Sequence, residues 1–366
     1  MNSKKILHFT GMKCTKYGSL ERYFIELIKF CNKQNFKTIL QYESCPESEA
    51  YVNDLKDLDA KLIVLPTFVD FFHTCTHVGR LINSVRPEII HTHFIRRYAR
   101  VFIPFFAKVL GAKKIVSTVH CTPAYTKKHP CRFVYNLFDH VLPVSSSVQE
   151  ALLKGGVNPA ILTTHYLGLF GNRKRSMQTR NELRKEFSIP DESIVLACIA
   201  FDDKIKGVDI LLSAFDKVLR KHGTLYMICI GIDPEHSKLP DLADQLGISH
   251  RLHWAGIIDS GWKLLNAADI YVQPSRSEGL TLAVLEAMSM KLPIVCTRTG
   301  NVDAIIDGKT GFIADTENSD SLANAIDRMV SLQDSWTEMG EAGYQLYKSS
   351  FQGDKSVLEL FNKYYA

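Results

Sequence analysis

Long apolar runs are missing from this sequence of 366 residues. None reaches the roughly 18–20 residues that a membrane-spanning helix requires, and the polar start "MNSKKILHF" is not expected to be a signal peptide. The nine cysteines include no C-x-x-C pair, and there is neither a zinc-ligand pattern nor a dense Lys/Arg tract. These absences argue against a membrane-spanning protein, a disulfide scaffold and a nucleic-acid partner. We expect free, buried thiols in a cytoplasmic protein.

The composition is typical of a folded globular protein, with 46% hydrophobic and 23% charged residues. The chain is too long for one compact core, which predicts two domains. Its charge is uneven, because residues 1–165 contain 22 Lys and Arg against 12 Asp and Glu, while the whole chain carries only +5. A basic half of this kind is expected to meet an anionic partner, and we favour a membrane surface.

Short β-branched runs alternate with longer amphipathic stretches along the chain. Examples are the strand-like "KKILHFT" and "SIVLACIAF" and the helical "SLERYFIELIKFCNK". This alternation is typical of α/β proteins whose parallel sheets carry helices on both faces. It predicts two doubly wound Rossmann-like domains, residues 1–168 and 169–345, facing a central cleft. Residues 346–366 are predicted to form a helix that packs back on the first domain, and residues 168–191 to be a linker.

The segment "QPSRSEGLTLAVLEAM" places Glu278 and Glu286 eight positions apart. A helix is expected to begin near Leu280 or Thr281, so that Glu286 lies about one and a half turns inside it. Backbone N–H groups at that start, from Gly279 onward, would form a site for a diphosphate. The two carboxylates could then bind sugar hydroxyls, Glu278 on a hexose and Glu286 on a ribose. The alternative is that Glu278 only favours the helix dipole and Glu286 is an ordinary exposed residue.

Together with the residues that follow it, this segment resembles the E-x7-E region of the retaining family-four glycosyltransferases, which have the GT-B fold. The resemblance implies that Glu278 contacts the donor sugar and Glu286 the nucleotide ribose. It implies that Lys206, in "DDKIKGVDILLSAF", binds the diphosphate. It also implies that "MICIGIDPE", with Gly231, and "LHWAGII", with Gly256, end strands that face the nucleotide base.

The resemblance extends into the first half and covers nearly the whole chain. "KYGSLERYFIEL" is similar to the family's glycine loop, which implies donor contacts from Gly18 and Ser19. "IIHTHF" and "VSTVHCTP" are similar to its two histidine-bearing strand ends, which implies that His120 lies beside the transferred sugar. The implied catalytic residues are His120, Glu278 and Lys206. The implied scheme retains the anomeric configuration, the departing phosphate takes the acceptor's proton, and no metal or cofactor is expected.

Three positions differ from the family's pattern. Ser19 replaces the second glycine of the loop, Ala200 and Phe201 stand where an arginine is usual, and Ala304 replaces a common glutamate. Lys204 is the candidate substitute for that arginine, although a lysine lacks the bidentate fork of a guanidinium. These differences concern the binding of the diphosphate more than the fold.

Two other histidines, His91 and His93, lie two apart on a predicted strand and hence on one face. They could bind a metal, but no third ligand is evident, so a half-exposed strand end without a metal is the preferred interpretation. For His120 the alternative is a strand-end histidine that is bonded only to backbone.

The segment at residues 94–114 combines aromatic and basic residues and predicts a helix lying on an anionic membrane. The alternative is a core helix with a basic solvated face, which Pro104 would interrupt or kink. The predicted membrane or acceptor surface consists of Arg96, Arg97, Arg100, Lys113 and Lys114.

The predicted function is a retaining, hexosyltransferase-type glycosyltransferase that acts in cell-surface polysaccharide or lipopolysaccharide biosynthesis. Its expected partners are a nucleotide-sugar donor, with UDP as the guess, a glycan or lipid-linked acceptor, and the inner face of the cytoplasmic membrane. One alternative is another GT-B enzyme, such as an epimerase or a glycan phosphorylase, and the chain length disfavours the latter. The other is a non-catalytic partner subunit or glycan-binding scaffold, which the departures at Ser19 and Ala200 keep open.

Overall fold

The computed structural model describes residues 3–67, 70–96, 98–122, 132–171, 173–201 and 203–366. The chain divides into two compact units, Met1–Phe170 together with Gly353–Ala366, and Gly171–Gln352. The predicted domain end at residue 345 falls inside helix Trp336–Ser350, and the chain re-enters the first unit at Gly353.

Among the described residues, the first unit contains one sheet and the helices between its strands. Its strands are β1 (Lys4–Thr10), β2 (Phe36–Tyr42), β3 (Lys61–Val64), β4 (Ile89–His93), β5 (Lys114–Val119) and β6 (His140–Pro143). Its helices are α1 (Ser19–Lys33), α2 (Glu49–Asp57), α3 (Phe71–Val85), α4 (Ala99–Val109), α5 (Arg132–Tyr135) and α6 (Ser146–Lys154).

The second unit repeats this plan. Its strands are β7 (Ile194–Ile199), β8 (Leu225–Ile230), β9 (Leu252–Trp254), β10 (Ile270–Gln273), β11 (Ile294–Thr297) and β12 (Gly311–Ala314). Its helices are α7 (Met177–Glu186), α8 (Asp203–Lys206), α9 (Val208–His222), α10 (Leu239–Gln245), α11 (Leu282–Ser289), α12 (Ser319–Ser331) and α13 (Trp336–Ser350). The C-terminal α14 (Gly353–Leu360) and the wider turn Phe361–Tyr365 belong to the first unit.

Both sheets are parallel and have the same topology. The strand orders are β3-β2-β1-β4-β5-β6 and β12-β11-β10-β7-β8-β9, each starting from a central strand and building outward on both sides. This is the doubly wound order, so the predicted fold class is confirmed. Sheets of this kind bind ligands outside the carboxyl ends of their strands, where the order reverses. Those points lie between β1 and β4 and between β7 and β10.

The strands are near-continuous apolar runs because helices cover both faces of each sheet. Every residue of β4 and β10 is buried. In α1 the buried side chains include Phe24, Leu27, Ile28 and Cys31, at the spacing that gives one apolar helix face. Local pattern and burial agree, which is why these elements could be predicted from the sequence.

The segment at 168–191 contains the boundary between the units, at Phe170 and Gly171, but its later part is not a linker, because it forms helix α7 with the buried Arg184. Arg184 donates hydrogen bonds to the carbonyl groups of Ala267 and Ser193 and, at 2.6 Å, to the carboxylate of Asp269. A polar, basic stretch predicts exposure to solvent, whereas here acceptors that are distant in sequence satisfy the guanidinium donors.

Three smaller differences concern the local pattern. Strand β12, "GFIA", was not predicted because so short a run carries little periodicity. Pro104 lies buried inside an uninterrupted α4. Among the described cysteines, Cys45 and Cys121 are exposed, so the expectation of buried thiols is wrong for these two. No helix in the described part of the chain is both long enough and apolar enough to cross a membrane.

Candidate functional site

Lys206 and Glu278 form an ion pair at the point where the second sheet reverses its order. Lys206 ends α8, shortly after β7, and Glu278 lies in the loop after β10. The Lys206 ammonium donates to Oε1 of Glu278, and the Ser275 hydroxyl donates to the same oxygen at 3.2 Å. Lys206 is only 6% exposed, and its Nζ lies 4.9 Å from the centre of the Phe201 ring. Two predicted site residues are therefore in direct contact.

Gly207 explains how Lys206 comes so close to the loop after β10. Its φ is +67°, and a Cβ at this position would lie 2.2 Å from the carbonyl oxygen of Pro274. Only a glycine permits both the left-handed conformation and this approach of two backbones. The Lys-Gly pair thus places the ammonium next to the segment that carries Glu278.

The start of α11 has the geometry of an anion-binding site, with two backbone N–H groups available as donors. The helix begins at Leu282 with Thr281 as N-cap, close to the predicted start. The Thr281 N–H is already bonded to Oδ1 of Asn301 at 2.8 Å, but its hydroxyl is buried without a partner. The N–H groups of Gly279 and Leu280 donate to no residue that the structure describes. An oxyanion placed here would satisfy these groups.

Glu286 is 7% exposed, so it is not the ordinary exposed residue of the alternative interpretation. Its Oε1 lies 3.8 Å from a terminal nitrogen of Arg173, which is itself buried. The Arg173 guanidinium lies 5.1 Å from the centre of the Trp262 ring. The sequence analysis misses Arg173, because the run "GNRKR" that contains it lies in the predicted linker.

The two glycines expected to face the base lie side by side. Gly231 follows β8 and Gly256 lies just beyond β9, and the N–H of Gly231 donates to the carbonyl of Gly256 at 2.8 Å. Gly231 has φ +93°, and a Cβ there would lie 2.4 Å from the carbonyl oxygen of Ala200. The carboxyl ends of β7 and β8 are therefore packed too closely for a side chain at Gly231, whereas a Cβ at Gly256 would meet open space.

Arg276, rather than Lys204, is the cation that braces this region. Its guanidinium donates to both carboxylate oxygens of Asp209 at 2.7 Å and to Glu317 at 2.7 Å. It also donates to the backbone carbonyl of Lys204, whose side chain is exposed. Arg276 therefore holds the loop that carries Glu278 against α8 and α9. Its location in the E-x7-E segment was the one signal that could have drawn attention to it.

In the first unit, the predicted glycine loop caps helix α1. Gly18 is the N-cap, and its N–H donates to Oε2 of Glu21 at 2.9 Å. Burial raises the pKa of the Glu21 carboxyl group. The sequence analysis does not single out this residue. Ser19 is the first helical residue and does not adopt a left-handed backbone, so nothing in its conformation requires a glycine.

Four histidines meet where the first sheet reverses its order: His8 of β1, His91 and His93 of β4, and His120 after β5. His8 Nδ1 lies 3.2 Å from His93 Nε2, and His93 Nδ1 lies 3.2 Å from His120 Nε2. Within the part of the chain that the structure describes, His120 is thus bonded to a ring and not to backbone. Burial lowers the pKa of His8 and His120 to about 3 and that of His93 well below its usual range, so these imidazoles are neutral at pH 7.

His8 supplies the third nitrogen that the His91/His93 pair lacked in the sequence. The three rings offer ligand atoms within 4.8 Å of one another. However, His91 Nε2 is bonded to the Thr118 hydroxyl at 2.8 Å, and His91 Nδ1 contacts the Tyr365 hydroxyl. A metal ion could use His91 only by replacing one of these bonds.

The predicted basic surface is divided between two ends of a helix. Arg96 and Arg100 lie near the start of α4, which follows β4. Lys113 and Lys114 lie beyond its other end, at the start of β5, and the helix between them has 11 residues, or about 16 Å. Lys113 is in an ion pair, and Lys114 donates to the C-terminal carbonyl group. Arg97 lies outside the described residues. The four described members of the predicted surface therefore lie near the two ends of α4, and their contact with a membrane or an acceptor stays a prediction.

Exposed aromatic residues lie on α3 and on the first part of the segment 94–114 predicted to contact a membrane. Phe72 and Phe105 are 76% and 54% exposed, and Phe71 and Tyr98 are nearly half exposed. Phe71 contacts Tyr98 and the half-buried Phe102 edge to face, which joins α3 to α4. We call these five residues the aromatic surface.

Residues 179–346 match the family model described as "Glycosyl transferases group 1". All of the matched residues lie in the second unit, which is therefore the part of the chain that is similar to these glycosyltransferases. Lys206, Glu278, Glu286, Gly231 and Gly256 all lie within the matched residues.

Two curated relatives illustrate the range of similarity. N-acetyl-alpha-D-glucosaminyl L-malate synthase of Bacillus anthracis is 25% identical over 288 residues, which are 76% of this chain and 74% of that protein. The O-antigen biosynthesis glycosyltransferase WclY of Escherichia coli is 25% identical over 183 residues, which are 50% of this chain and 49% of that protein.

Solved structures of glycosyltransferases share the fold along almost the whole chain. Anabaena Alr3699/HepE, solved in complex with UDP-glucose, has a TM-score of 0.80 at 18% identity and covers 98% of both chains. A glycosyltransferase from Rickettsia africae ESF-5 also has a TM-score of 0.80, at 19% identity, over 99% of this chain and 98% of that chain. At this level of identity the similarity establishes the fold alone.

Proposed function

We propose that this protein is a retaining glycosyltransferase that moves a sugar from a nucleotide-sugar donor to a glycan or lipid-linked acceptor. The observation that carries the proposal is the Lys206–Glu278 pair beside the start of α11. A cation, two available N–H groups and a carboxylate that can bind sugar hydroxyls match the parts of a sugar diphosphate. The names of the relatives, among them an O-antigen glycosyltransferase, agree with an acceptor in cell-surface polysaccharide biosynthesis.

Catalysis then rests on stabilising the leaving diphosphate. As the glycosidic bond breaks, negative charge grows on the phosphate and positive charge on the sugar. Lys206 and the N–H groups of Gly279 and Leu280 are placed in advance at the site where the negative charge develops, so they need little reorganisation. Lys206 shifts from Glu278 toward the phosphate, and the released Glu278 carboxylate accepts hydrogen bonds from the sugar.

Glu286 binds the ribose hydroxyls in this proposal, and Arg173 holds its carboxylate in place. Retention follows if the acceptor attacks from the face that the phosphate leaves, with the departing phosphate taking the acceptor's proton. No protein base is then needed.

We propose that the reaction needs no metal. The D-x-D spacing occurs in the sequence as Asp57-Leu58-Asp59, but it ends helix α2. There the Asp59 side chain is 88% exposed and pairs with Lys37 at 3.3 Å. Lys206 and the α11 start supply positive potential where a divalent cation would otherwise act.

The donor is tested by nucleotide-dependent thermal stabilisation. We propose UDP, because uridine is the commonest donor nucleoside and because Anabaena Alr3699/HepE was solved in complex with UDP and with UDP-glucose. A nucleotide at 100 times its Kd raises the stability of the folded state by about 2.7 kcal/mol. A screen with UDP, GDP, ADP and CDP should single out one base. A folded protein that none of the four stabilises would contradict the proposal and favour the non-catalytic scaffold.

We further propose that the aromatic surface docks on anionic lipid, with Arg96 and Lys108 as nearby cations. Exposed aromatic rings lie at the level of lipid headgroups, and each neighbouring basic residue adds about 1 kcal/mol at low salt. Phe72→Ser/Phe105→Ser should reduce co-sedimentation with phosphatidylglycerol vesicles, and wild-type binding should decrease as salt is raised. Equal binding to neutral vesicles, or unchanged binding of the variant, would contradict this proposal.

A further inference from the structure

His8, His93 and His120 form a chain of hydrogen-bonded rings in the first unit. The links run from His8 Nδ1 to His93 Nε2 and from His93 Nδ1 to His120 Nε2, each at 3.2 Å. His93 uses both of its ring nitrogens in the chain. A neutral imidazole carries one proton, so His93 donates in one link and accepts in the other.

Only two proton arrangements satisfy both links. In the first, His8 donates from Nδ1, His93 donates from Nδ1, and His120 accepts at Nε2 and carries its own proton on Nδ1. In the second, every bond is reversed, so that His120 donates from Nε2 and has a lone pair on Nδ1. The chain therefore decides whether the outer nitrogen of His120 is a hydrogen-bond donor or a base.

The inner end of the chain distinguishes the two arrangements. His8 is fully buried, and its Nε2 has no hydrogen-bond partner. In the first arrangement this atom is an unpaired acceptor, whereas in the second it is an unpaired N–H group. Buried N–H groups without an acceptor are the rarer of the two in folded proteins. The first arrangement is therefore favoured.

The outer end of the chain is held in a fixed orientation. The His120 ring stacks on Phe94 with 3.9 Å between ring centres and 10° between planes. Phe94 has φ +55°, a strained conformation for a bulky residue. Among the described residues, His120 Nδ1 has no hydrogen-bond partner, so it is available to a ligand.

We propose that His8 and His93 are positioning residues that hold His120 as its Nδ1–H tautomer, so that His120 donates a hydrogen bond to a substrate oxygen and does not act as a base. The role of this tautomer in catalysis rests on the proposed function. Because His120 would donate a proton in a hydrogen bond and not accept one, the departing phosphate would take the acceptor's proton. The tautomer itself is a property of the unliganded protein.

The tautomer is read directly by two-bond ¹H–¹⁵N correlation spectra of the ¹⁵N-labelled full-length protein without ligand. His120→Asn and His8→Gln assign the signals. We expect a protonated-type shift for His120 Nδ1 and an unprotonated-type shift for His8 Nε2. The opposite pattern, or averaged shifts on both nitrogens of His120, would overturn the proposal. This measurement is valid whether or not the protein transfers a sugar, so failure of the proposed function would not be confused with failure of the tautomer.

Activity of matched variants tests the consequence. Asparagine can place an N–H donor near the Nδ1 position, whereas aspartate offers only acceptors, so kcat/KM of His120→Asn should exceed that of His120→Asp by about 10-fold or more. His93→Gln should lower kcat with little change in the donor KM. The control is His165→Gln. His165 is equally buried, but it bonds to Ser356 at 3.1 Å and is not one of the three hydrogen-bonded rings. Equal losses in the His93 and His165 variants would indicate a merely structural role.

Discussion

Because Lys206 and Glu278 form an ion pair, we expect substitutions of these two residues to have coupled effects on the stability of the protein and separate effects on sugar transfer. Lys206 is 6% exposed and the Glu278 side chain 15% exposed, so in the unliganded protein each charge depends on the other. Removing one partner of a buried pair costs about 3–5 kcal/mol, because the remaining charge is left uncompensated. Glu278 keeps some exposure and the bond from Ser275, so we expect the lower end of this range, about 3 kcal/mol, for Lys206→Met.

The double variant Lys206→Met/Glu278→Gln leaves no unpaired charge. Its loss of stability should therefore be smaller than the sum of the two single losses, by about 1–3 kcal/mol. Urea unfolding can be followed by tryptophan fluorescence, because Trp254, Trp262 and Trp336 all lie in the second unit. Lys217→Met is the control, since this exposed lysine on α9 pairs with Asp320 at the surface.

Transfer should respond differently from stability. Each single variant is expected to lower kcat/KM by about 100-fold or more, equivalent to about 2.7 kcal/mol, because each removes a contact to the sugar diphosphate. The coupling should therefore appear in stability but not in turnover, because the double variant still lacks both contacts to the sugar diphosphate. Near-native turnover of both folded single variants would refute the assignment, and strictly additive stability losses would refute the account of the pair.

Three further predictions concern metal, acid and backbone. Turnover should survive EDTA, and a loss that Mg²⁺ or Mn²⁺ restores would contradict the metal-free scheme. The pKa values of His8 and His120, lowered to about 3 by burial, mean that the unfolded chain binds more protons below pH 6.5. Stability should therefore fall as the pH decreases from about 6.5 toward 3, by up to about 1.4 kcal/mol per pH unit for each histidine, and His8→Gln should flatten the acid-unfolding curve. Gly207→Ala should destabilise the protein by more than about 2 kcal/mol in urea, whereas Gly223→Ala, at φ +70° with open space around its Cβ, should cost about 1 kcal/mol. Equal losses would show that the contact with Pro274 is unimportant.

The fold could be predicted wherever local pattern and burial coincide. The strand β1 and the helix α1 have the limits that their apolar spacing indicates, because a strand or helix that buries one face must repeat with its own period. The same reasoning fails at α7, where the side chain of Arg184 is buried among acceptors from other parts of the chain. Hydrogen-bond partners distant in sequence leave no periodic signal.

For the site, spacing drew attention to Glu278 and Glu286, because a helix start flanked by carboxylates is a local feature, whereas Lys206 followed from the family resemblance. Their roles remain predictions. Their partners depend on tertiary structure. Arg173 faces Glu286, and His8 joins His93, only because the doubly wound order brings together elements that the chain keeps far apart. The sequence determines which side chains can bind a ligand or donate a hydrogen bond. Burial and the register between strands determine which of these side chains are in contact and which ring nitrogens carry a proton.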